Sequence, residues 1–272
     1  MLWKRVVSAI IGIPILIFTV YKGGMLFLAL VSIVAFLGLN EFYALIKKKG
    51  IVLPKVIFIT NGLIFIFLSL VNVHNGLIFD FFLFYVLVSI FITQLFHNEQ
   101  NNPLLNTSMS FLGIIYVGWL SAHLLYLRDL PGGFYYVILV LLVTWANDTG
   151  AYFVGMNLGK RKLCPKISPN KTVEGALGGL ISALIVTFFT GIWINNSLPQ
   201  FSFSSVDLLF LGLLVSLAAQ FGDLVESLFK RDAGLKDSSN LIPGHGGILD
   251  RFDSLLFATP VVYYYLQVFI IN

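Results

Sequence analysis

Val206-Asp-Leu-Leu-Phe-Leu-Gly-Leu-Leu-Val-Ser-Leu-Ala-Ala-Gln-Phe-Gly-Asp-Leu-Val-Glu-Ser-Leu-Phe229, followed at once by Lys230 and Arg231, decides how the chain is read. A helix needs about 20 mainly apolar residues to cross the hydrocarbon of a bilayer, and only an internally hydrogen-bonded backbone is tolerated there. This run meets that length and ends at two cations. Eight more apolar runs qualify as spans, so the predicted spans are 6–21, 25–46, 56–73, 77–96, 109–127, 134–154, 173–194, 206–229 and 254–270. Several begin or end with Trp or Tyr, as interfacial anchors do.

Composition agrees. Of 272 residues, 58% are hydrophobic and 11% charged, against about 25% charged in ordinary soluble domains, and the mean hydropathy is +0.91. Almost no stretch between the runs is long enough to bury a core of its own. The expectation is an all-α, polytopic membrane protein of about nine transmembrane helices, with residues 1–272 forming a single integral membrane domain. A pI of about 9.1 could suggest nucleic acid, but the basic residues sit in short loops between spans, and no nucleic-acid partner is expected.

Those loops set the orientation. Placing every Lys and Arg leaves only Lys22 and Arg128, of 17 basic residues, on one side; the richer side is cytoplasmic by the positive-inside rule. The N-terminus is then inside and the C-terminus outside. Lys4 and Arg5 before the first run imitate a signal peptide, but no small-x-small pattern follows, so the run is expected to be retained as a span. Cys164 is the one cysteine and reads as a filler thiol. Gly155 to Gly159 and Gly175 to Gly179 have GxxxG spacing, which reads as close helix packing. No P-loop occurs, and no internal repeat of the kind many transporters show.

Chemistry concentrates in the C-terminal half, about residues 144–254. On a helix, Asp223, Ser227, Lys230 and Arg231 fall at i, i+4, i+7 and i+8, lining one face that runs toward the cytoplasm. A carboxylate within a span is costly and marks a functional candidate facing the bundle interior; the competing reading is a helix–helix salt bridge. Beyond it, Gly244, Gly246 and Gly247 around His245 suit a backbone cradle for phosphate. Asp250 and Asp253 at i, i+3 open the last span. With Asp223 arriving at the same depth, they point to a hard divalent cation, since Mg²⁺ takes one or two carboxylates plus substrate phosphates. Helix N-terminal charge compensation is the alternative for that pair.

These residues carry a resemblance. The stretch from Ser227-Leu-Phe-Lys-Arg through Lys236 and Asp237, then Pro243-Gly-His-Gly-Gly-Ile-Leu-Asp-Arg-Phe-Asp253, resembles the signature of the phosphatidate cytidylyltransferase (CDP-diglyceride synthase) family. It extends upstream through Asn147-Asp-Thr-Gly-Ala-Tyr152 and Lys166-Ile-Ser-Pro-Asn-Lys-Thr-Val-Glu-Gly175. Asn170 departs from the pattern, which often has a basic residue there, and leaves Lys171 as the phosphate contact.

The resemblance implies that a phosphatidate oxygen attacks the α-phosphorus of CTP and expels pyrophosphate, giving CDP-diacylglycerol. Such a transfer requires positioning and charge neutralisation and no protein nucleophile. On that reading Asp223 and Asp250 hold Mg²⁺, with Asp253 as a third ligand or just behind them and a monovalent cation such as K⁺ nearby. Lys230, Arg231, Lys236 and Arg251 neutralise phosphates, Ser227 donates to one, and Asp237 belongs to the same catalytic set. Lys166, Ser168, Lys171 and Thr172 close over the nucleotide, with Gly246 and Gly247 beneath the phosphates. His245 has three readings, as a phosphate ligand, a proton shuttle or a turn residue. Asp148 has two: it orients a cation or the sugar, or it ties a helix end. The site would face the cytoplasm from the inner membrane, with membrane lipid as one partner and a homodimer suggested by the family. Two rivals are a CTP-dependent polyprenol kinase and a secondary transporter using Asp80, Asp148 and Asp223.

Overall fold

The structure is a computed structural model and describes residues 2–51, 53–71, 76–96, 102–239 and 246–271. Helices form where the apolar runs lie: α1 Leu2–Lys22, α2 Gly24–Lys48, α3 Lys55–Leu68, α4 Gly76–Leu95, α5 Pro103–Gly113, α6 Leu120–Asp129, α7 Gly133–Leu158, α8 Val173–Ser197, α9 Ser205–Asp232 and α10 Leu249–Phe269. A π-helical turn, Ile114–Trp119, joins α5 and α6 into one rod, Pro103–Asp129. The protein is therefore all-α and polytopic. Among the described residues, six rods are long and apolar enough to cross a membrane: Gly24–Lys48, Gly76–Leu95, Pro103–Asp129, Gly133–Leu158, Val173–Ser197 and Ser205–Asp232.

The fifth and the last of the predicted spans start well upstream of their apolar runs. The fifth rod begins at Pro103, whose missing N–H costs nothing at a first helical position. The last helix begins at Leu249, so Asp250 and Asp253 occupy its first turns. Two starts are capped by side chains: Ser204 and Asp207 form a reciprocal capping box on α9, and the Thr172 hydroxyl accepts the Gly175 N–H at the start of α8.

The core is apolar, with Phe27, Phe65 and Leu211 among its buried residues, and so are the outward faces. Large apolar side chains line outward faces, such as Leu177, Ile181, Ile185, Phe188 and Phe189 on α8, where acyl chains solvate them. Polar groups turn inward. Ser216 Oγ of α9 donates to Asn147 Oδ1 of α7 at 2.7 Å, and Gln220 Nε2 donates to the same oxygen at 3.1 Å and to the Ala176 carbonyl at 3.1 Å. Three helices are thus cross-linked where no water could satisfy these groups.

The closest helix pair is α7 on α8, and its contact uses the small residues of the GxxxG stretches. A Cβ on Gly175 would stand 2.8 Å from the Ala151 carbonyl oxygen and 3.1 Å from Gly155 Cα. Only bare backbone fits there, as the spacing predicts. Between these helices lies an element that hydropathy does not foretell, an antiparallel hairpin of β1 Lys162–Cys164 and β2 Ser168–Thr172. It brings Lys171 back over the bundle.

Candidate active site

Carboxylates from α7, α9 and α10 converge beneath the hairpin. Asp253 is 8% exposed, accepts the Ser254 N–H at 2.6 Å, and lies within electrostatic reach of Asp223 and Asp148. Gly222 makes this possible: with no side chain, it lets α9 press on the Asp253 carbonyl of α10. Asp148 keeps accessible surface, although protein surrounds it, and its neighbours are Asn147, Asp223, Lys171 and Arg251. Asn147 Nδ2 donates to Asp148 Oδ1 at 3.2 Å, so the polar cross-link of the bundle core also orients this carboxylate.

Each of the two central aspartates holds a lysine. Lys171 Nζ, carried in by β2, is 2.6 Å from Asp223 Oδ2, and Ser227 Oγ is 3.4 Å from Asp223 Oδ1. The face at i and i+4 predicted for α9 is therefore formed. Lys230 Nζ is 2.5 Å from Asp250 Oδ1 and also pairs with Glu226 Oε2 one turn back. Asp250 Oδ2 accepts from Ser238 N at 3.0 Å, Ser238 Oγ at 2.9 Å and Gly247 N at 2.8 Å. Lys230 is mostly buried between two acids, which holds its charge in place.

Other sequence-predicted residues take different positions. Arg231 donates to the Ile167 carbonyl from Nε and to the Leu235 carbonyl from Nη1, each at 3.1 Å, latching the hairpin to the end of α9. Thr172 spends its hydroxyl on the cap of α8. Gly247 gives its N–H to Asp250, and Gly246 has φ of 85°, a conformation glycine adopts without strain. Lys166 is exposed on the hairpin turn and Ser168 half-buried on β2, while Lys236, Asp237 and Arg251 are exposed at the water-facing end. His245 lies outside the described residues.

Sequence reasoning missed three groups. Glu226 is 1% exposed, and its spacing to Lys230 was the available signal. Tyr116, in the π-helical turn, is 3% exposed, with its ring edge-on to Phe229 and electrostatic reach to Asp223, Glu226, Asp250 and Asp253. Glu41, a carboxylate within the second predicted span, had the same signal as Asp223.

Among the described residues, no three His, Cys, Asp or Glu side chains form a preformed metal cage. The donor set nevertheless fits a hard divalent ion. Mg²⁺ is typically held by one or two carboxylates plus substrate phosphates, and needs no all-protein cage.

A family model described as the cytidylyltransferase family matches residues 3–269. The chain belongs to the cytidylyltransferase family. Curated relatives named phosphatidate cytidylyltransferase include one from Bacillus subtilis, 35% identical across 98% of this chain and 98% of the relative. One from Synechocystis is 34% identical across 97% of this chain and 96% of its own. One from Staphylococcus saprophyticus is 35% identical across 95% and 96% respectively. The family match runs through α1 to α6 as well, where the sequence signature is silent.

Proposed function

We propose that this multi-pass membrane protein is a phosphatidate cytidylyltransferase: CTP and phosphatidate react to give CDP-diacylglycerol and pyrophosphate. The observation that carries the reading is near-full-length similarity to relatives of that name, joined to a carboxylate and lysine cluster set at helix ends. A site there receives an amphiphile whose phosphate rests in the headgroup layer and a soluble polyanionic nucleotide from water. The basic loops around it attract both.

In the transfer, an oxygen of the lipid phosphate bonds to the α-phosphorus while the bond to the bridging oxygen of the pyrophosphate breaks, the two oxygens roughly in line. Lys171 and Lys230 are the cations closest to the centre, and each can pass from its aspartate to a phosphate oxygen. Arg251 and Lys236, at the water-facing end, meet the outer phosphates. Arg231 keeps the hairpin closed so that Lys171 stays over Asp223. Asp223 and Asp250 would hold Mg²⁺, with Asp253 behind them and a monovalent cation such as K⁺ alongside. A divalent ion held there would supply positive charge against the phosphates during transfer.

The same reading places the site at the cytoplasmic face of the inner membrane and makes a homodimer the expected assembly. The deciding experiment uses purified protein in detergent micelles with labelled CTP and phosphatidate. Formation of CDP-diacylglycerol with pyrophosphate is the expected result. Release of CDP with a phosphorylated lipid alcohol would instead make it a kinase, and absence of turnover without sealed compartments would favour a transporter.

A further inference from the structure

Glu41 lies near the C-terminal end of α2, in the third of the chain where the sequence signature is silent, and is 6% exposed. Its carboxylate is fully engaged. Oε1 accepts from Ser239 Oγ at 2.6 Å and from the Ile248 N–H at 2.9 Å. Oε2 accepts from the Leu249 N–H at 2.9 Å and lies 2.9 Å from Ser238 Oγ. One side chain therefore grips both the residues that follow α9 and the first turn of α10.

Ser238 connects this grip to the reacting centre. Its hydroxyl is 2.9 Å from Glu41 Oε2 and 2.9 Å from Asp250 Oδ2, and its N–H donates to Asp250 Oδ2 at 3.0 Å. A hydroxyl has one proton, so it serves one carboxylate at a time and the two acids compete for it. Gly247 closes the arrangement. A Cβ there would stand 2.5 Å from Glu41 Oε2, so only glycine lets the chain pass between Glu41 and Asp250. Around this point α2 is tied down twice more, by Lys49 Nζ to Asp232 at 3.0 Å and by Phe42 edge-on to Phe229.

We propose that Glu41 is a positioning residue for cytidylyl transfer, acting through Ser238 and the first turn of α10 to hold Asp250 in register with Lys230. The proposal rests on the reaction assigned above. It gives the N-terminal helices a part in the chemistry: α2 is the wall against which the two halves of the signature are aligned. A carboxylate is required because every partner is a donor. An amide at this position would turn its NH₂ against one pair of them.

The test compares wild type, Glu41→Gln, Ser238→Ala and the double variant, each purified in detergent and assayed at saturating CTP and phosphatidate, with melting followed in parallel. Glu41→Gln should lower kcat by about 10- to 100-fold, the range seen when a group orienting an active carboxylate is removed. The double variant should be scarcely worse than the poorer single one, because residues acting through one contact are non-additive. A group that merely stabilised the bundle would change melting and yield but leave the kcat of the folded fraction intact. That outcome, or fully additive losses, overturns the proposal. Should Glu41→Gln not be recovered folded, Ser238→Ala alone decides, since it keeps both backbone donors of Glu41, and an unchanged kcat rejects the idea. Inactive wild type would instead overturn the assigned reaction.

Discussion

Lys230 shows how one residue can be both structural and functional. Its ammonium is shared by Glu226 and Asp250, and the three side chains are 11%, 1% and 7% exposed. Removing one partner of a buried ion pair typically costs about 3–5 kcal/mol, because the other charge is left uncompensated. Lys230→Met should accordingly lower the melting temperature in detergent, and adding Glu226→Gln should recover part of that loss by removing one stranded charge. A single variant that melts like wild type would show that the pairing contributes nothing. Asp223 is exposed to a greater degree and pairs with Lys171 at 2.6 Å, so its replacement should affect chemistry far more than folding. Asp223→Asn is expected to insert and melt normally while losing turnover. If a divalent ion sits there, EDTA should reproduce that loss in wild type and Mg²⁺ should reverse it, whereas activity indifferent to chelation would remove the ion from the scheme.

At the scale of elements, the helices were legible because hydropathy is a property of a run: each apolar stretch states its own structure whatever surrounds it. The α9 face of Asp223, Ser227 and Lys230 was legible for a related reason, since helical spacing fixes which residues share a side. The hairpin was not, because Lys162 to Thr172 is polar, short and mixed in propensity, and its strands are defined by pairing with each other and by the Arg231 latch on Ile167. Arg231 was expected among the phosphates, and its spacing gave no hint of a backbone carbonyl 64 positions away. Glu41 is the extreme case: its partners Ser238 and Leu249 are 197 and 208 positions distant. A carboxylate in a span announces that something pairs with it, but not what.

For the whole molecule, the decisive asymmetry is between its two ends. The carboxylates, the hairpin and the Glu41 clamp gather at the end where the sequence places nearly all Lys and Arg. The opposite end carries Lys22 and Arg128, with Arg128 Nε donating to the Val20 carbonyl at 2.6 Å and so serving to stitch helices together. On the proposed reaction the charged end meets both the nucleotide and the lipid headgroup, and therefore faces the cytoplasm. Cys164 offers a direct check. It is the only cysteine in the chain, it sits at the end of β1 beside the active end, and it retains partial exposure. Cys164→Ser should leave activity nearly unchanged, so the native thiol can report position without disturbing function. A membrane-impermeant maleimide should label it in inside-out vesicles and spare it in intact cells. Labelling in intact cells, lost in the inverted vesicles, would reverse the orientation and separate the site from its supply of CTP.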